Sequence, residues 1–476
     1  MGYQDLRGWL SEVEALSQLK KIHGASWDLE MGAITELIYH EGKGTPPAVL
    51  FDKVPGYPDA FRTLFGMTCS VERMALTLGL PTVKNGIDLV KAYRDRLKDF
   101  KPIAPKTVSH GKILENVDRG EDVNVLKFPV PQVHELDGGR YIGTGCLIIT
   151  RDPDEGWINF GTYRVMVHDE KSVAFYISPG KHGNLQRQKY FDRKEPCPVV
   201  VCVGQDPLLF LASGNEVAYG LSEYDYAGGF KGEPIEVVLG EYTGIPIPAA
   251  AEIALEGDAV FDDLREEGPF GEWTGYYASG GRPEPVIRVK NVYYRNNPIL
   301  CCARPGRPPS DYSFSKCVVK SAMIWDELEK AGVPNVRGVW CHEAGGGRMF
   351  NIVSIRQSYP GHSKQAGMVA SQCHAGAYLG RFVVVVDEDI DPSNTFDVLW
   401  AMASRVDPEQ SIEIIRRCWS GPLDPCVPKG KKGYNSRAIL DACRPYEWKD
   451  DFPKVVASSP SLREATLKKW HDVIFE

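Results

Sequence analysis

The sequence predicts a mixed α/β, multidomain protein of three units, on three observations. The chain has 476 residues, more than one ordinary core absorbs. Between 107 and 303, short runs rich in Val, Ile, Tyr and Phe are punctuated by Gly, Pro, Asn and Asp, mostly without long helices between them. Beyond that stretch helix and strand patterns alternate, the rhythm of an α/β unit, and the segment before it is mixed. Two proline-bearing breaks, "KPIAPK" at 101–106 and "ARPGRPPSDYS" at 303–313, divide the chain into 1–106, 107–303 and 304–476.

The first unit opens with a helix, because Leu6, Trp9, Leu10, Val13, Leu16 and Leu19 recur at three- and four-residue steps. "PAVLF" at 47–51 reads as a strand, "VERMALTLGL" and "DLVKAYRDRLKDF" as helices. The runs of the second unit, from "YIGTGCLIITRDP" to "EPVIRVKNVYYRNNPIL", read as strands of a barrel or sandwich. In the third, "CVVKSAMIWDELEKAG" predicts a helix ending at Gly332, "VRGVWCHEAGGG" a strand and loop, and "KQAGMVASQCHAGAYLG" a helix. "RFVVVVDEDID" predicts a buried strand and "TFDVLWAMASRV" a helix. The tail "SLREATLKKWHDVIF" predicts a terminal helix opened by a Ser461–Glu464 capping box. Its Leu462, Leu467, Trp470 and Ile474 predict docking on a domain or a neighbouring subunit.

Composition excludes several classes. Fifty-five basic and 63 acidic side chains give a net charge of −8, without long single-sign blocks, so neither nucleic acid nor an anionic membrane surface is expected as a partner. No run approaches the ~20 apolar residues of a membrane span. "MGYQDLRGWL" lacks a signal-peptide core, and Leu6 stands where N-myristoylation wants Ser or Thr, so the cytoplasm is the expected compartment. None of the twelve cysteines forms a C-x-x-C pair, and most sit in apolar runs, which predicts buried, reduced thiols.

The chemistry-bearing stretches are few. "EEGPFGEWTGYY" places Glu267 and Glu272 on either side of a Gly-Pro-Phe-Gly bend that can turn both carboxylates into one pocket. Close acids repel, so one proton affinity rises unless a cation intervenes, and a raised carboxyl suits proton donation near neutral pH. Exposed turn acids are the alternative, which the neighbouring aromatics disfavour. In "INFGTYRVMV", Arg164 precedes an apolar alternation and is an inward-facing candidate that needs a carboxylate; a structural salt bridge satisfies it as well as catalysis does. His182 lies in "ISPGKHGNL", read as a loop, and Glu223 and Asp225 in the Gly-flanked "GLSEYDYAGG", read as turn acids or ligands. Asn159, His182 and Glu223 together suit a divalent ion such as Mn²⁺. Asp387, Glu388, Asp389 and Asp391 read as loop acids beside a helix cap at Ser393 and Asn394 rather than a Mg²⁺ site. "HEAGGGRMF" fits neither a P-loop nor a dinucleotide fingerprint.

In order along the chain, "NFGTYR", a loop His, "SEYDYAG", "EGPFGEWTGYY" and "VDEDIDP" resemble the UbiD family of reversible decarboxylases, from "DLRGWL" nearly to the end. The resemblance implies an N-terminal α/β domain, a split β-barrel that binds prenylated FMN, and a C-terminal α/β domain. It implies Asn159, His182 and Glu223 as ligands of manganese bridging to the cofactor phosphate, and Thr162, Tyr163 and Lys181 as flavin contacts. It places K⁺ near Ala212 and Ser213. It implies a catalytic network of Arg164, Glu267 and Glu272, in which Glu272 protonates the carbon that has lost CO₂ while Arg164 and Glu267 orient it and hold the substrate carboxylate. A flavin prenyltransferase would supply the cofactor, and a homo-oligomer, dimer or hexamer, is expected. Gly421 stands where cinnamate-type relatives carry a bulky aromatic, which predicts room for a larger substrate; His362 and Lys364 in "YPGHSKQAG" are candidates to hold a phenolate. A partner-dependent carboxylase subunit, an ordinary FMN oxidoreductase and a two-carboxylate glycosidase are the rival readings.

Overall fold

The computed structural model describes residues 2–215, 217–428, 431 and 433–475. It has the mixed α/β, multidomain architecture that the sequence predicts. In the first unit a four-stranded sheet runs in the order Leu19–His23, Ala48–Asp52, Arg62–Phe65 and Ile299–Cys301. The opening helix covers Leu6–Ala15 and buries Leu6, Trp9, Leu10 and Val13. It is shorter than its periodicity predicts, because Ser17 takes a positive φ of 58° and turns the chain, so that Leu19 begins a strand. The fourth strand, Ile299–Cys301, comes from a run expected to continue the second unit. Asn297, at φ 54°, ends the preceding strand and lets Ile299 pair in parallel with Arg62.

The second unit is built on a nine-stranded sheet. Its backbone is the long hairpin Ile253–Glu267 and Arg282–Tyr294, paired antiparallel so that Glu267 faces Arg282 at the far end. Cys197–Gly204 lies next to Ile253–Glu267 and explains the unbroken apolar run "VVVCVG". Val199, Val201 and Val203 enter one core and Val200 and Cys202 another, so both faces are covered. Three helices interrupt the strands: His182–Asp192, Pro207–Ser213 and Glu223–Lys231. Two of them correct the sequence reading. His182 is the first residue of a helix rather than a loop residue; that helix buries Gly183, Gln186 and Arg187, so no apolar stripe announced it. Glu223 and Asp225 lie in a helical first turn rather than a Gly-flanked turn, because the Ser222 hydroxyl caps the Tyr224 N–H.

The third unit is a five-stranded sheet in the order Val336–Cys341, Phe350–Ile355, Phe382–Asp387, Tyr434–Ala442 and Ile412–Trp419. Helices Asp311–Lys330, His362–Gln372 and Thr395–Arg405 accompany it. The terminal helix spans Pro460–Phe475, and its first turn is capped by Ser459 rather than Ser461, since the Ser459 hydroxyl accepts from the Leu462 N–H. Leu462, Leu467, Trp470 and Ile474 remain exposed, so the helix does not dock on the rest of its own chain. All cysteines except Cys373 and Cys426 are buried, and all twelve are free thiols. Among the described residues no helix is long and apolar enough to cross a membrane.

Candidate active site

Glu267 ends the long strand Ile253–Glu267, and Glu272 follows a tight turn. Gly268 has φ 89°, and Gly138 packs so closely on its carbonyl that a Cβ there would lie 2.2 Å from the oxygen. The turn is fastened from outside. The Gly138 N–H donates to the Pro269 carbonyl at 2.7 Å, and Asp137 accepts from the Gly271 N–H and the Tyr277 hydroxyl, each at 3.1 Å. The bend thus does what the sequence requires of it, turning both acids toward one side chain.

That side chain is Arg164, between the strands Ile158–Gly161 and Val165–Asp169. Its Nε donates to Glu267 Oε1 at 2.8 Å and its Nη2 to Glu267 Oε2 at 2.7 Å, a bidentate pair; its Nη1 donates to Glu272 Oε1 at 3.2 Å. The guanidinium lies 4.4 Å from the centre of the Tyr176 ring and 5.2 Å from that of Phe270. The Tyr141 hydroxyl donates to Glu267 Oε1 at 3.0 Å. Side-chain exposure is 8% for Arg164, 0% for Glu267 and 15% for Glu272.

Burial and charge push the two groups that titrate here in useful directions. Burial alone would loosen the Arg164 proton, but Glu267, through its hydrogen bonds and charge, raises the affinity instead. For Glu272 burial dominates and lifts the carboxyl to about 7, against the lowering charges of Arg164, Arg282 and Arg348 and with the raising charge of Glu267. The arrangement therefore holds one carboxyl able to carry or release a proton near neutral pH, beside a permanently charged guanidinium.

A second group gathers nearby. Glu223 Oε2 accepts from the Phe160 N–H at 2.8 Å, and burial raises its carboxyl to about 8. Asn159 is 2% exposed, and its Nδ2 is buried without a hydrogen-bond partner. Burial raises the Tyr163 hydroxyl, as does the charge of Glu223, while Asn159 and the Gly183 N–H act in the opposite direction. Gly183 joins His182 to this group. The His182 ring packs against Trp157 and Tyr219, with centroids 5.1 and 5.7 Å away, in a cleft of about 270 Å³. Among the described residues no three His, Cys, Asp or Glu side chains are arranged to hold a metal. The Asn159 amide has a buried Nδ2 suited to donate to an anionic oxygen, while its Oδ1 and the Glu223 carboxyl, once ionised, are oxygen donors of the kind a divalent cation takes. Thr162 and Ser213 share a hydroxyl–hydroxyl bond, and the Thr162 N–H donates to the Ser213 carbonyl at 3.3 Å. The Ala212 carbonyl already accepts from the Asn215 N–H at 3.0 Å. Lys181 is the exposed residue at the start of helix His182–Asp192.

Other candidates lie apart from these groups. His362 is buried, with Nδ1 accepting from the Ser358 N–H, and Lys364 pairs with Glu413 at 2.6 Å. The room expected beside Gly421 is filled by Tyr378, whose hydroxyl would stand 2.2 Å from a Cβ there. Asp387 and Asp389 bind Arg405 and Arg444, and Asn394 caps Thr395–Arg405, the structural role expected of that acidic run. Tyr141, Tyr176 and Arg282 were not anticipated. Tyr141 reads as one more strand residue, and its contact with Glu267 spans 126 positions, beyond any local pattern.

Comparisons with known proteins agree along the whole chain. Residues 106–308 match the 3-octaprenyl-4-hydroxybenzoate carboxy-lyase Rift-related domain, 314–442 its C-terminal domain and 10–93 its N-terminal domain. The pyrrole-2-carboxylic acid decarboxylase of Pseudomonas aeruginosa is 30% identical over 494 residues, covering 99% of this chain and 98% of its own. The vanillic acid decarboxylase of Sedimentibacter hydroxybenzoicus, solved in an open form, has a TM-score of 0.88 at 27% identity, with both chains covered in full. The UbiD-class enzyme HmfF of Pelotomaculum thermopropionicum, in complex with FMN, has a TM-score of 0.86 at 25% identity, over 98% of this chain and 100% of its own. An evolved dimeric form of HmfF, in complex with prFMN, has a TM-score of 0.82 at 25% identity over 98% and 99%.

Proposed function

Because the chain belongs to the UbiD family of carboxy-lyases, we propose that it catalyses the reversible, non-oxidative decarboxylation of an aromatic, heteroaromatic or α,β-unsaturated carboxylic acid, with prenylated FMN as its cofactor. The observation that carries this reading is Arg164 held bidentately by Glu267 while it reaches Glu272, whose carboxyl titrates near neutral pH. The pyrrole-2-carboxylic acid and vanillic acid relatives support an aromatic acid as substrate, and the FMN and prFMN complexes of HmfF support the cofactor.

The chain's own residues would divide the work as follows. Asn159, His182 and Glu223 would hold Mn²⁺ and, through it, the flavin phosphate. The cation would bring Glu223 back to its charged form, because a positive charge offsets the burial that now keeps it protonated. Ala212 and Ser213 would offer carbonyls to K⁺, and Thr162, Tyr163 and Lys181 would touch the flavin. The flavin supplies an electron sink for the carbon that loses CO₂. Arg164 draws the substrate carboxylate toward the pocket and keeps Glu272 in register. Glu267 fixes the guanidinium plane, and Tyr141 fixes Glu267. Glu272 then delivers its proton to the carbon that CO₂ has left, and accepts one when the reaction runs toward carboxylation. The exposed apolar face of the terminal helix favours a homo-oligomer.

The test is anaerobic reconstitution with prenylated FMN, Mn²⁺ and K⁺, followed by a panel of carboxylic acids read by CO₂ release. Glu272→Gln should abolish turnover while the flavin absorbance of the bound cofactor persists. Full turnover in that variant overturns the reading.

A further inference from the structure

We propose that Arg348, carried on a glycine turn of the third unit, is a positioning residue for Glu272, acting through Trp273 and through its own charge; this rests on the reading of Glu272 as the proton donor. The run "HEAGGGRMF" matches no phosphate-binding pattern, yet it packs on Trp273, the residue that follows the acid. After the single turn Glu343–Gly345, Gly346 and Gly347 take φ 61° and 67°, backbone that L side chains rarely adopt. A Cβ on Gly346 would lie 2.2 Å from the Trp273 ring, and one on Gly347 2.9 Å from the backbone of Lys316 and Cys317. Only glycines let this turn press between the indole and the helix Asp311–Lys330. The turn delivers the Arg348 guanidinium to 4.6 Å from the centre of the Trp273 ring.

Trp273 is the residue after the acid. On its other side, the Glu272 backbone is held by its own turn: its N–H donates to the Tyr276 carbonyl at 3.2 Å and its carbonyl accepts from Gly275 at 2.9 Å. The acid thus sits between a hairpin turn and a contact from the third unit. Several charged or titratable groups face it. Arg164 gives two donors to Glu267 and one to Glu272 itself, and Arg282 pairs with Glu284 at 2.7 Å. Tyr312, from helix Asp311–Lys330, donates to the Thr144 carbonyl and senses the charge of Glu272. Asp137, paired with His134, holds the turn from below, and Tyr141 is bound to Glu267. Arg348 is the cation in this set that comes from beyond the 303–313 break, and its charge favours the ionised acid. The seating of the third unit and the proton affinity of the acid are thereby coupled.

The experiment uses the reconstituted holoenzyme and compares wild type, R348M and R348K. A donor must be protonated, so turnover falls as pH rises through the Glu272 value. Losing the Arg348 charge moves that limb upward by about half a pH unit or more, less than the shift of one to three units produced by an opposite charge close by. R348K keeps the charge and should leave the limb in place while Trp273 loses its stacked plane, raising KM. Where R348M turns over too slowly, infrared titration of the ¹³C-glutamate-labelled holoenzyme reads the same upward shift, with E272Q identifying the band. A limb and band unmoved in R348M, or moved equally in R348K, overturn the proposal. An active E272Q would instead remove the reading of the acid itself, which separates the two failures.

Discussion

Arg164→Met is the sharpest probe of the pocket. The substitution keeps the bulk of the stem and removes three donors, two to Glu267 and one to Glu272. Glu267 is 0% exposed and would retain, of its side-chain partners, the Tyr141 hydroxyl at 3.0 Å. Breaking a buried pair by removing one partner leaves an uncompensated charge and costs about 3–5 kcal/mol. Removing the second charge as well relieves part of that, so R164M/E267Q should be more stable than R164M by about 1–2 kcal/mol, despite carrying more changes. The assay is urea unfolding of the cofactor-free protein at one pH and salt concentration, for wild type, both single variants and the double. A loss below about 1 kcal/mol in R164M, the value of an exposed pair, would refute the reasoning. So would a double variant no more stable than R164M.

Two further outcomes follow from the same electrostatics. His182→Ala should lose manganese and flavin together, which metal analysis and absorbance read side by side; loss of neither would remove His182 from the phosphate-side group. Glu343 is raised from the usual 4.5 to about 7, chiefly by burial, and accepts from the Ser313 hydroxyl at 2.7 Å. Its folded value lies above its unfolded one, so stability is fully present below about 4.5 and is lost as pH rises through about 7. Glu343→Gln should therefore be more stable than wild type at pH 8, by on the order of 2–3 kcal/mol, with the advantage gone at pH 4, as paired urea curves would show.

What could be read from the sequence depended on how far each partner lies along the chain. Glu267 and Glu272 sit five positions apart across a Gly-Pro bend, so local chemistry was enough to pair them. A buried Arg164 demanding a carboxylate was legible too, although the partner 103 positions away became evident only through the resemblance. His182 was misplaced because its helix buries Gly183, Gln186 and Arg187, which carry no apolar period. Ile412–Trp419 was missed for a related reason: "IEIIRRCW" is an edge strand with half its residues exposed and two arginines in line. Gly421 misled because a missing side chain suggests space, whereas Tyr378 occupies it from another element. Arg348 stands in a Gly-rich run that fits no phosphate-binding pattern, and nothing local marks its target, because Trp273 belongs to a different unit.

The strand Ile299–Cys301 has a consequence for biosynthesis. It completes the first sheet by pairing with Arg62–Phe65, some 237 positions earlier. On the ribosome, the amino-terminal sheet has been made in three strands long before its fourth leaves the exit tunnel. Throughout that interval the Arg62–Phe65 border offers open amide groups to any extended segment nearby. Closing that border also encloses nearly all of the second unit within one long loop. Completion of the first sheet therefore waits on the far end of the second unit, a long-range pairing that carries the closure entropy of the whole loop.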